Sequence, residues 1–141
     1  MIKEFKHTLG RIEFDLRFNY RITVLDGLSG SGKTYLFNRM KDYMLSENDS
    51  SIKCFNAVDM FNIDIERTIK SCKNKLIIID NGDLIVTGEL RKYIASDENN
   101  QYLIFGRNTE GMGLPPLAIG KLAIKDKKGY IEYPKIFLWG Q

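Results

Sequence analysis

The eight residues Gly27–Thr34 constrain the fold of this chain more than any other segment. They read G-L-S-G-S-G-K-T and follow the apolar stretch Tyr20–Asp26, which has the composition of a β-strand. A run with apolar residues at helical spacing begins at about Lys33. Glycines let the backbone turn sharply, so that successive N–H groups can point into one concavity. The segment therefore predicts a strand, a tight loop and a helix in direct succession.

Strand-like and helix-like segments alternate along the rest of the chain. Ile12–Phe18 alternates apolar and polar residues, as a half-exposed edge or antiparallel strand does. Leu76–Ile79 is apolar at every position, as a buried parallel strand is, and Gln101–Phe105 is a further strand. We therefore expect an α/β fold: a mostly parallel, doubly wound sheet with an N-terminal antiparallel strand and a C-terminal β-hairpin.

The remaining elements follow from local patterns. Apolar residues on one stripe predict a helix from Lys33 to the polar stretch Ser46–Ser51: Leu36, Phe37, Met40, Tyr43 and Met44. Three more elements are expected: a short strand at Ile52–Ala57, a helix that includes Phe61, Ile65, Ile69 and Cys72, and a helix around Thr87–Ala95. Residues 107–116 contain two glycines and two prolines and predict a loop. The tail Lys121–Lys125 and Tyr130–Tyr133 predicts a hairpin with Gly129 at its turn.

The glycine-rich segment matches G-x-x-x-x-G-K-[ST] at every fixed position. Backbone N–H groups and the N-terminal dipole of the following helix favour a bound phosphate group. The ammonium of Lys33 can reach the outer phosphates of a nucleotide, and the hydroxyl of Thr34 can ligate magnesium. We expect the Lys33 side chain to be accessible to solvent in the empty loop.

With these residues, Ile22–Thr34 resembles the Walker A motif of P-loop NTPases. The resemblance implies that the chain binds a nucleoside triphosphate, ATP, together with Mg²⁺. Nine residues would contact the nucleotide: Gly27, Leu28, Ser29, Gly30, Ser31, Gly32, Lys33, Thr34 and Tyr35. The dinucleotide pattern G-x-G-x-x-G fits less well, because Tyr35 stands where its third glycine is required.

Leu76–Asp80 is similar to a Walker B motif, an apolar strand that ends in an acidic residue. A buried parallel strand would deliver Asp80 to the carboxyl edge of the sheet, beside the glycine-rich loop. There Asp80 and Thr34 would hold the magnesium ion, directly or through water.

The chain departs from the family pattern directly after this aspartate. Many ATPases of the additional-strand division have a glutamate there, whereas this chain has Asn81, which cannot accept a proton at neutral pH. We therefore expect slow hydrolysis. The nearest substitutes are Asp83 and, further along the chain, Glu89.

The segment after Gln101–Phe105 resembles the part of such ATPases that carries a polar sensor near the γ-phosphate. Arg107 or Asn108 would be that group, so that the catalytic residues implied by the resemblance are Lys33, Asp80, Asn81 and Arg107. The resemblance also implies that strand Gln101–Phe105 lies between Ile22–Asp26 and Leu76–Asp80 in the sheet.

The resemblance covers residues 10–108, a compact AAA- or ABC-like ATP-binding core within one domain spanning 1–141. No guanine-reading motif and no ABC signature motif is present in the sequence. Two alternatives stay open: a small kinase in which Asp59, Asp80 or Arg107 handles the acceptor, and a nucleotide-binding switch without hydrolysis, which Asn81 favours. An assay of phosphate release with and without acceptors separates the three.

Charge and cysteine content limit the partners. The net charge is +3, which is too mild to indicate nucleic-acid binding, although the basic C-terminal hairpin leaves that partner open. A protein partner or a nucleotide-dependent homodimer would supply the catalytic groups that a single chain lacks. With two cysteines and no run of about 20 apolar residues, we expect a cytoplasmic protein with reduced thiols and no membrane segment.

Overall fold

The computed structural model describes residues 2–26, 32–106 and 118–133. Eight strands form one sheet within these ranges, in the order β1-β2-β8-β7-β3-β6-β5-β4. The strands are β1 (Glu4–Leu9), β2 (Ile12–Arg17), β3 (Ile22–Asp26), β4 (Ile52–Phe55), β5 (Leu76–Ile79), β6 (Gln101–Gly106), β7 (Ala118–Lys125) and β8 (Lys128–Glu132). The helices are α1 (Lys33–Ser46), a 3₁₀ helix (Ala57–Phe61), α2 (Ile65–Lys70), α3 (Gly82–Ile85) and α4 (Gly88–Ser96).

The prediction of a doubly wound, mostly parallel sheet is wrong. The sheet is mixed and curls into a half-barrel, with more of the described residues in strands than in α-helices. Two antiparallel hairpins, β1–β2 and β7–β8, make up half of its strands. Their turns have two residues each, too few for the crossover helix that a parallel connection needs. Hairpins, rather than helices between strands, therefore build this half of the sheet.

The N-terminal region also differs from the single antiparallel strand expected at Ile12–Phe18. That segment forms β2, which pairs antiparallel with the additional strand β1 and parallel with β8. The C-terminal hairpin is present, but its turn is at Asp126 and Lys127, where both φ angles are positive. Gly129 lies within β8, opposite Ile124.

Two apolar cores lie on the two faces of the sheet, because successive side chains of a strand point to opposite faces. Along β5, for example, Ile78 belongs to one core and Ile77 to the other. Helix α1 covers the first face with three buried residues: Leu36, Phe37 and Met40. The three shorter helices cover the second face with five: Ile65, Ile69, Ile85, Leu90 and Ile94.

The register of the central strands brings the ends of β3, β6 and β5 to one edge. β6 pairs with β3 on one side and with β5 on the other, all parallel, and Asp26 lies opposite Gly106. The expectation that β6 lies between the other two strands is confirmed. Segments that leave β3 and β5 thus start about 10 Å apart, twice the spacing of neighbouring strands.

Candidate functional site

Helix α1 begins at the carboxyl end of β3, as the glycine-rich pattern predicts. Of the nine residues expected to contact a nucleotide, Gly32, Lys33, Thr34 and Tyr35 are described, and residues 27–31 lie outside the described ranges. Gly32 precedes the helix with φ of 94°, a conformation that favours glycine. A Cβ on this residue would also lie 2.9 Å from Cδ1 of Ile124. The backbone conformation therefore favours glycine at position 32, whereas the Ile124 contact involves the end of a flexible side chain that can move.

Lys33 is buried, with 9% of its surface exposed. The expectation that its side chain is accessible to solvent is therefore wrong. Its Nζ donates to the carbonyl oxygen of Gly106 at 3.2 Å. Because Gly106 ends β6 and lies opposite Asp26, the Lys33 side chain reaches across the ends of two neighbouring strands. The carbonyl offsets part of the cost of burying an ammonium group. The structure thus holds a positive charge at the carboxyl edge of the sheet.

Thr34 and Tyr35 are exposed in the first turn of α1. The role of Thr34 as a metal ligand stays a prediction. Tyr35 faces the turn between β1 and β2, where its hydroxyl would lie 2.6 Å from a Cβ on Gly10. Its ring lies 5.6 Å from the guanidinium carbon of Arg39, at cation–π distance. Tyr35 therefore connects α1 with the N-terminal hairpin.

Asp80 follows β5 and is half-buried at the same edge of the sheet. Its backbone N–H donates to the carbonyl of Phe55 at 2.9 Å, which fixes the start of the segment. Its carboxylate oxygen Oδ1 accepts from the backbone N–H of Asn81, also at 2.9 Å. A carboxylate held in this way has oxygen lone pairs left for a cation. No group of three or more His, Cys, Asp or Glu side chains suited to a metal occurs among the described residues.

Asn81 has a structural role that the sequence pattern did not show. It adopts the left-handed conformation, with φ of 54°, which asparagine tolerates better than most residues do. Its Oδ1 accepts from the backbone N–H of Ala57 at 3.3 Å and so joins the segments after β4 and β5. The signal was the dipeptide Asn81-Gly82, since Asn-Gly is typical of turns with positive φ.

The other residues considered for catalysis are less central. Arg107 and Asn108 lie outside the described residues. Asp83 is exposed in the first turn of α3, and Glu89 is exposed on α4, where Oε1 lies 3.4 Å from Nζ of Lys92. The structure therefore brings Lys33 and Asp80 to one edge and leaves Asp83 and Glu89 on helix surfaces.

Sequence reasoning missed the contribution of the C-terminal hairpin to this edge. β7 pairs with β3 only through Thr23–Leu25 and then continues past the end of that strand to Lys125. Leu122 and Ile124 consequently lie beside Gly32 at the start of α1. The apolar residues Leu122, Ala123 and Ile124 between two lysines predict a strand, but nothing in them identifies the surface that the strand covers.

No protein-family model and no curated protein matches the chain. The described helices include none with the length and apolar character needed to cross a membrane. The residues of the site therefore carry the functional argument.

Proposed function

We propose that the chain binds ATP with magnesium at the carboxyl edge of β3, β6 and β5 and hydrolyses it slowly. The observation that carries the proposal is the complete G-x-x-x-x-G-K-[ST] pattern, with α1 starting at its lysine. Support comes from Asp80, which lies on the same edge with only β6 between its strand and β3. The same ligand would then contact the ammonium of Lys33, the N-terminus of α1 and the carboxylate of Asp80.

Each residue has a distinct task in this proposal. The N-terminal N–H groups of α1 and the ammonium of Lys33 bind the phosphate oxygens. Thr34 and Asp80 hold the magnesium ion, which when bound neutralises charge on the outer phosphates. Lys33 must exchange its hydrogen bond to Gly106 for one to phosphate, so binding changes a contact at the end of β6.

The test is the thermal shift produced by ATP and magnesium in Lys33→Ala. A ligand that binds only the folded state stabilises it by about 2.7 kcal/mol when present at about 100 times its Kd. The wild-type chain should show such a shift, and Lys33→Ala should lose most of it. Since Lys33 is buried, the variant also melts lower without ligand, so the shift is the readout rather than the melting temperature. Lys41→Ala, on the same helix, should keep the full shift.

A second candidate function is a nucleotide-binding module without hydrolysis. Asn81 favours it, because its amide cannot accept a proton at neutral pH and so cannot act as a general base. Phosphate release separates the candidates: slow turnover to ADP supports an ATPase, and binding without turnover supports the module. Turnover that requires an added acceptor would indicate a kinase. If ATP produces no thermal shift at all, both the ATPase and the module are wrong.

A further inference from the structure

Five large apolar side chains are exposed together where the chain leaves β4 and β5. They are Val58, Met60, Phe61, Ile63 and Leu84, here called the 58–84 surface. Phe61 is 90% exposed, which is unusual for a phenylalanine. The hydrogen bond from Ala57 to Asn81 joins the two segments, and the 3₁₀ helix and α3, which carry four of these side chains, lie in contact. Exposed apolar patches of this kind mark interaction sites.

A groove of about 360 Å³ runs beside these residues. Residues of two segments line it: Met60, Ile63, Asp64, Ile65 and Glu66 from the first, and Ile85, Thr87 and Leu90 from the second. The groove has space for apolar side chains of a binding partner, and its lining residue Met60 directly precedes the exposed Phe61.

The rim of this surface is acidic. Residues 57–66 contain three acidic and no basic residues, and residues 80–89 contain three acidic and no basic residues. Salt bridges to Lys70 and Lys92 neutralise Glu66 and Glu89 in part. The aspartates outside the proposed metal site keep the rim negative: Asp59, Asp64 and Asp83. An occupant must therefore combine apolar groups with positive charge.

The β7–β8 hairpin of the same chain has this chemistry. Its exposed residues include four lysines and two isoleucines: Lys121, Lys125, Lys127, Lys128, Ile119 and Ile124. Like the 58–84 surface, the hairpin tip projects beyond the carboxyl edge of the parallel strands. From β7 to β5 the distance is about 14 Å, three strand spacings.

We propose that the 58–84 surface binds the β7–β8 hairpin of a second copy of the chain. Because both surfaces lie at one edge of the molecule, a two-fold arrangement lets each copy insert its hairpin against the surface of the other. Both contacts then form at once and the assembly closes as a dimer. The proposal does not depend on nucleotide binding.

The first test is the mass of the full chain in solution, by sedimentation from about 1 µM to about 100 µM. The wild-type chain should approach twice its 16.3 kDa mass as concentration rises. Phe61→Ser should raise the dissociation constant at least about tenfold, since exposed aromatic anchors dominate interfaces. Leu45→Ser removes an apolar side chain that is 65% exposed on α1 and should leave association unchanged. A wild-type chain that stays monomeric throughout would overturn the proposal.

The second test exchanges charges between the surfaces. Lys125→Glu with Lys128→Glu makes the hairpin acidic and keeps a like-charge pair at these two opposed positions. Asn62→Lys, Glu66→Lys, Asp83→Lys and Glu89→Lys together leave three aspartates and add four lysines in residues 57–66 and 80–89, which makes the 58–84 surface basic. Each multiple variant alone places like charges in both contacts and should be monomeric, whereas an equimolar mixture is complementary in both and should dimerise. Lys3→Glu with Lys6→Glu controls for the change in net charge. A mixture that remains monomeric, with both variants folded by circular dichroism, would overturn the proposal.

Discussion

At the scale of single residues, the polar side chains at the edge of the sheet serve the fold as well as the proposed site. Lys33 is bonded to the end of β6, and Asn81 joins the segments after β4 and β5. Sequence reasoning identified both positions from the motifs but assigned them only to nucleotide chemistry. The backbone conformation of Asn81 and the burial of Lys33 depend on contacts with distant segments, which a local pattern does not contain.

Substitutions at Asn81 separate its conformational role from its hydrogen bond. Asn81→Ala should lower the free energy of unfolding by about 1–3 kcal/mol, because alanine is strained at positive φ and the Ala57 N–H loses its acceptor. Asn81→Gly keeps the conformation and should cost less, and Asn81→Asp keeps the acceptor and should cost least. Urea unfolding measures all three. Equal stability of Asn81→Ala and the wild-type chain would show that neither contribution matters.

At the scale of elements, strong local patterns gave the correct structure and weak ones did not. The predicted strands Leu76–Ile79 and Gln101–Phe105 and the helix from Lys33 to Ser46 are confirmed, because each has a continuous apolar run or stripe. β1 was missed because only Phe5 and Leu9 of its six residues are buried. Phe61 was predicted to lie in a helix with Ile65, but Asp64 caps α2 and starts that helix after Phe61.

The pairing of β2 with β8 depends on Gly129, which lies against the ring of Phe14. A Cβ on Gly129 would overlap the ring of Phe14, a residue with no exposed surface. Gly129→Ala should therefore lower the free energy of unfolding by about 1–3 kcal/mol through overpacking. Phe14→Leu should recover part of this loss in the double variant, measured by urea unfolding as a double-mutant cycle. If the changes in unfolding free energy of the two single variants simply add in the double variant, Gly129 and Phe14 do not interact.

At the scale of the whole molecule, pairings between distant segments decide the architecture. Phe14 lies opposite Gly129 in the β2–β8 pair, more than a hundred residues along the chain. No local pattern contains that pairing, so the mixed sheet and the position of the hairpin beside α1 could not be predicted. The order of β3, β6 and β5 was predicted only through resemblance to P-loop NTPases. That order brings Lys33 and Asp80 to one edge, and the binding of a nucleotide there is the proposal made above.

The two cores share the central strands, and this predicts that they unfold together. β3, β5 and β6 contribute alternate side chains to both, so loss of either helical layer exposes strands that the other layer needs. Met40→Ala removes a fully buried side chain from the core under α1, and Ile94→Ala removes one from the opposite core. Each should lower the free energy of unfolding by about 2–5 kcal/mol. Both variants should shift one common transition, with far-ultraviolet and near-ultraviolet circular dichroism giving the same midpoint. Two separate midpoints in either variant would show instead that the layers on the two faces of the sheet unfold independently.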